Sequence, residues 1–174
     1  MKTKQQEELV KAFLALLEPR LAAVYRELIL HLSGLGYCPK KQRGKIVFSH
    51  DLHHKQIVKI GLDSQGAPFF ALRFSACRGY SKRFEDIVRE FLGSNKYRRA
   101  PCMEGKCSFC RGEALDRVYT YQFPDRETRY HCSTVALPIP GLGRGDVGEI
   151  KRLMDKEHRF LMEHEAVPGL KAKN

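Results

Sequence analysis

The sequence predicts an α+β protein, an antiparallel sheet of about five strands in two hairpin or meander groups, covered by N-terminal, central and C-terminal helices. Three observations predict it. Apolar residues recur at helical spacing in Leu21, Val24, Tyr25, Leu28, Ile29 and Leu32, and again in Ile150, Leu153, Met154, His158 and Leu161. Between these stripes lie short β-branched and aromatic runs bounded by turn residues. A chain of 174 residues, 43% hydrophobic and without internal repeats, has the length for one core but hardly for two, so residues 1–174 are expected to form one domain.

In chain order, Leu9, Phe13, Leu16 and Leu17 space as a first helix, which Pro19 interrupts. Pro19 then opens a second helix, in the turn where a missing N–H does least harm, and Gly34 and Gly36 end it. Runs at 45–49, 57–62 and 68–76 read as a three-stranded meander, with turn chemistry in Asp63-Ser-Gln-Gly66 between the last two. Ser81 is placed to cap a helix bearing Phe84, Ile87, Val88 and Phe91, with Glu85 and Asp86 near its start and Gly93 past its end. A second hairpin is expected from 118–123 and 128–135 around Pro124-Asp125. Pro138, Pro140, Gly141, Gly143 and Gly145 form a connector. Asp146 and Glu149 make a capping pattern for a last helix that ends near Ala166, and 168–174 reads as a flexible tail.

The formal charge of +11 is concentrated in the middle of the chain. Residues 38–111 hold sixteen Lys or Arg against six Asp or Glu, whereas 112–174 are balanced. Solubility alone accounts for such a field. A nucleic acid or an acidic protein is the partner class it would attract, through Arg78, Lys82, Arg83, Arg98 and Arg99. The N-terminus lacks the pattern of a secretory signal and no apolar run approaches the length of a membrane span, so a cytoplasmic protein is expected. In a reducing compartment, clustered cysteines more often hold metal than form disulfides.

Four of the six cysteines fall between 102 and 132, a cysteine-rich loop and hairpin within the domain. In Cys107-Ser-Phe-Cys110-Arg-Gly112 the two-residue spacing and the following glycine let both thiolates face one point. Over 102–132 the chain resembles a four-cysteine module of the zinc-knuckle or zinc-ribbon kind. Cys102 and Cys132 would complete the tetrahedron around a structural zinc. His131 is the rival for the fourth position, but strand neighbours point to opposite faces, and Cys132 is preferred. Arg98, Arg99, Lys106 and Arg111 flank the loop and could offset the charge of a zinc tetrathiolate. Cys102-x4-Cys107-x2-Cys110 also resembles the cluster loop of plant-type [2Fe–2S] ferredoxins, although Cys132 follows too soon and Met103 and Phe109 are bulky.

The run His50-Asp51-Leu52-His53-His54 is a weaker metal candidate, since ligands in one turn seldom converge without a partner from elsewhere. His158 reads as a core histidine with one hydrogen-bond partner, Cys38 and Cys77 as core or half-buried thiols, and Glu157, Glu163 and Glu165 as a solvated helix face. Gly141-Leu-Gly-Arg-Gly145 lacks a preceding strand and is no dinucleotide fingerprint. The expected function is therefore that of a small zinc-binding protein with a structural metal and no assigned catalytic residue. A basic binding module, a metal-dependent hydrolase with an open metal position, and an iron–sulfur protein are the alternatives.

Overall fold

Helix α1 (Lys4–Leu14) begins where the Thr3 side chain accepts the Gln6 N–H at 3.2 Å, and α2 (Pro19–Gly34) begins on its proline. The two turn their apolar stripes, including Phe13, Leu28, Ile29 and Leu32, into one core. The computed structural model describes residues 3–94, 100–107 and 113–165.

After α2 the chain turns at Gly36 into four consecutive antiparallel strands, β1 (Tyr37–Gln42), β2 (Lys45–His50), β3 (Gln56–Leu62) and β4 (Pro68–Leu72). Helix α3 (Lys82–Gly93) and the hairpin β5 (Val118–Gln122) with β6 (Thr128–Cys132) follow. The chain then returns to the main sheet as β7 (Leu137–Pro138) beside β4 and ends its described part in α4 (Val147–Glu165). The main sheet is thus β1-β2-β3-β4-β7, with β5-β6 as a separate two-stranded sheet.

Strand alternation decides what each face does. Ile46, Ile60 and Phe70 are cross-strand neighbours, as are Phe48, Val58, Leu72 and Leu137, and all are buried in the core that the helices complete. The opposite face carries the rows Lys40, Val47, Lys59, Ala71 and Gln42, Lys45. There Lys45 Nζ lies over the Phe69 ring at 4.9 Å. Gly61 makes this possible, because a Cβ at that position would sit 3.2 Å from the Phe69 ring and 3.5 Å from the Lys45 stem.

The anticipated meander is therefore extended at both sides. β1 escapes the hydrophobic pattern because Pro39, Lys40 and Lys41 are edge-strand residues, and β7 because it is two residues long and includes Pro138. Two caps form differently from expectation. Ser81 sits at the N-cap of α3 without a side-chain bond, and instead its own N–H donates to Glu149 Oε1 at 2.6 Å. Asp146 accepts the Gly143 N–H at 2.9 Å, closing the turn that leads into α4.

Glu157 corrects the reading of a solvated glutamate face. It is fully buried, with Oε1 2.7 Å from Arg73 Nε and its carboxylate accepting the Ser75 hydroxyl and, at 2.9 Å, the Ala76 N–H. The Arg73 Nε–H is not aligned along the short contact, so the pair is ionic more than a directed hydrogen bond.

Candidate metal centres

The cysteine region is built by the 3-10 turn Pro101–Glu104 packing against β6. Register places Val118 opposite Cys132 and Tyr119 opposite His131. Alternation then separates the two rival ligands. His131 is buried with its ring edge-on to Phe91 of α3 at 4.7 Å, and its Nδ1 lies 3.2 Å from the Cys132 carbonyl. Cys132 is half-buried, with Sγ 3.1 Å from the Thr134 hydroxyl.

Cys102 is half-buried, and its thiol is pushed up first by burial and then by the charges of Cys132 and Cys107. The charges of both other thiols thus reach Cys102. Among the described residues the three sulfurs are not drawn together as tightly as the histidines below. Cys110 lies outside the described residues, as do Arg98, Arg99 and Arg111. Of the flanking cations, Lys106 donates to Glu104 at 2.7 Å. The positive charge that reaches Cys102 is that of Arg117, a buried arginine at the entry to β5 that its sequence context does not advertise.

A second centre comes from a partner that the sequence hid. His50 ends β2, His53 lies in the turn before β3, and His158 comes from α4. Their ligand atoms all lie within 4.8 Å of one another. His50 follows Phe48 by two residues and so shares its helix-covered face, which is where His158 arrives. The His50 and His53 rings stack at 4.4 Å, and His158 lies 5.4 Å from His50. The fully buried Tyr37, opposite His50 in the β1–β2 ladder, places its hydroxyl 3.3 Å from His53 Nε2 and 3.4 Å from His158 Nδ1.

The turn fixes these rings from below. His50 Nδ1 accepts the Leu52 N–H at 3.2 Å and His53 Nδ1 accepts the Lys55 N–H at 3.1 Å. Burial, reinforced by His50 and His158, lowers His53 to about 4, and burial also lowers His158, so near neutral pH both rings are uncharged with a lone pair to offer. Gly36 borders the group at φ +88°, where a Cβ would stand 2.8 Å from His50 Nε2. Only glycine combines that backbone turn with that approach. His54, the third histidine of the sequence run, is exposed at φ 58° and is not part of the group.

The basic residues expected to meet a partner are largely engaged within the chain. Arg78 donates to the carbonyls of Ser75, Cys77 and Leu115. Lys82 pairs with Asp86 at 3.0 Å, and Arg83 with Asp146 and the Pro140 carbonyl, both at 2.7 Å. Lys40, Arg43 and Lys59 have no acidic partner among the described residues and stand with Lys45 on the open sheet face and its β1–β2 turn. Among the described residues no helix is long and apolar enough to cross a membrane. No protein-family model, curated protein or solved structure matches the chain.

Proposed function

We propose that the chain is a zinc-binding protein whose zinc is structural, held by Cys102, Cys107, Cys110 and Cys132 and clamping the 102–110 loop to β6. The observation that carries this reading is the packing of the 3-10 turn holding Cys102 against β6, the strand that ends in Cys132, with Cys107 just after that turn. A further support is energetic. The turn Pro101–Glu104 buries no residue, so hydrophobic contact does little to hold it, and metal binding would supply that free energy. Thiolate ligation also suits the reducing, cytoplasmic setting expected from the sequence.

Elemental analysis with a visible spectrum tests it. About one sulfur-bound zinc per chain in a colourless protein is expected by elemental analysis with X-ray absorption, and that sulfur-bound zinc is lost in Cys102→Ser and in Cys132→Ser, with a lowered thermal midpoint in both. A brown protein containing iron and sulfide would replace zinc with a cluster, and full retention of the sulfur-bound zinc in Cys132→Ser would remove that residue from the ligand set. Fewer than four protein ligands by X-ray absorption would favour a metal that activates water.

A second reading, binding of nucleic acid or another polyanion, is favoured by one observation: the cations Lys40, Arg43, Lys45 and Lys59 gathered on the open sheet face. Retention on heparin and on duplex DNA at low salt is expected, with a negative slope of log affinity for the duplex on log salt that Lys59→Ala makes shallower by about 0.9. No retention at low salt would end it.

A further inference from the structure

We propose that His50, His53 and His158 form a second metal site, taking a divalent cation of the zinc, cobalt, nickel or copper class through imidazole nitrogen. The inference is independent of the cysteine centre. It rests on convergence: two donors from the β2 end and its turn meet a third from α4, all within 4.8 Å. A tetrahedral ion with bonds of about 2.0–2.1 Å needs its donors about 3.3 Å apart, so closing the group takes an approach of an ångström or more together with rotation of the His50 or His53 ring out of its stack. Three imidazoles and no thiolate are borderline donors, which suit these metals and poorly suit calcium or magnesium.

The surroundings fit a cation. Asp155, one turn before His158 on α4, is close enough for its charge to reach that ring, and the buried Glu157 reaches Tyr37. Opposing them, Arg73 and Lys55 reach His53. A surface hollow of about 370 Å³ lined by Leu35, Asp155, His158, Arg159 and Met162 opens beside the third ligand. The Tyr37 hydroxyl lies 3.3 Å from His53 Nε2 and 3.4 Å from His158 Nδ1 and so keeps these two rings side by side in the metal-free protein.

Binding has a definable cost. Where His50 and His53 ligate through Nε2, the ring proton moves to Nδ1, and the contacts from the Leu52 and Lys55 N–H groups and the Tyr37 contact to His53 Nε2 are given up. The exposed position of Leu52 leaves its N–H to water. Without a metal, the Leu52 and Lys55 N–H groups hold the His50 and His53 rings stacked at 4.4 Å, and binding has to turn one of them out of parallel, because an imidazole lone pair lies in the plane of its ring.

The test uses the full chain, first given one equivalent of zinc and then titrated with Co2+. A second equivalent is expected to bind with visible d–d bands, without near-ultraviolet thiolate charge transfer, and with three hyperfine-shifted exchangeable N–H proton signals from bound imidazoles. Outer partners of ligating histidines are worth about 10- to 100-fold in affinity. His53→Ala and His158→Gln remove a ligand outright and are therefore each expected to weaken the second equivalent by about 100-fold or more. His54→Ala and His164→Ala are expected to leave it unchanged, with circular dichroism confirming the fold of every variant. Where thiolate bands show the cysteine centre to take the first equivalent, no second equivalent would overturn the site; where they are absent, no imidazole-bound first equivalent would; and fewer than three imidazole signals in the unaltered protein or unchanged affinity in folded His158→Gln would overturn it in either case. Thiolate bands from the first Co2+ added to metal-free protein report on the cysteine centre separately, so either site can fail alone.

Discussion

Glu157→Gln is expected to destabilise the fold by about 3–5 kcal/mol, the cost of leaving a buried ion without its counter-charge. The Arg73 side chain is 3% exposed and its guanidinium faces Glu157 at 2.7 Å, so no water takes the place of the lost carboxylate. The remaining arginine contact, to the Ser133 hydroxyl at 3.4 Å, is neutral and long. Against a total stability of about 5–15 kcal/mol for a domain, the loss is a large share. Urea unfolding monitored by circular dichroism measures it. The double variant Arg73→Met with Glu157→Leu is expected to recover part of the loss, since an apolar pair removes the uncompensated charge. Recovery is incomplete because the Ser75 hydroxyl and Ala76 N–H lose their acceptor. A loss below about 1 kcal/mol in Glu157→Gln would mean that the pair is not desolvated as drawn.

Phe74→Ala is expected to cost about 3–5 kcal/mol, for a different reason. Phe74 is fully buried and meets Tyr80, Phe84 and Tyr119 edge-on at 5.6, 5.6 and 5.4 Å. It is where the strand end after β4, helix α3 and the β5–β6 hairpin share one contact. Its backbone N–H donates to the Tyr119 hydroxyl at 3.2 Å, and that hydroxyl donates to the Val135 carbonyl at 2.9 Å. Removing the ring leaves a cavity that three other aromatic rings border, and rigid rings fill space poorly. Phe74→Leu is expected to lose clearly less, and equal losses in the two variants by chemical unfolding would show that the site collapses freely.

The helices were legible in the sequence because their stripes are long and clean. Pro19 and Gly34 mark α2 in the sequence and bound it in the structure. The meander was legible where strands alternate or run apolar, as in Ile46-Val-Phe48, and was lost in Pro39-Lys-Lys41, where an edge strand has no need of apolar side chains. Glu157 and His158 show the limit from the other side. Both fall on the apolar stripe between Met154 and Leu161, a position that signals burial, yet their polar character suggested a solvated face for one and an isolated core residue for the other. What the sequence could not show is which distant group each would meet. Arg73 and His50 reach α4 only through the path of the chain. His131 and Cys132, by contrast, were separable in advance, because a one-residue step on a strand changes the face.

The two rims of the main sheet have a consequence for how copies of the protein meet. A strand at the margin of a sheet normally offers its free N–H and C=O groups to any similar strand in solution, the route to edge-to-edge aggregation. Here one rim, β1, has Pro39 with no N–H to give and carries Lys40 and Lys41, whose like charges repel a second copy. The other, β7, is two residues long and one of them is Pro138. Neither rim can template a continuous ladder, so the main sheet resists growth by strand addition at both of its margins.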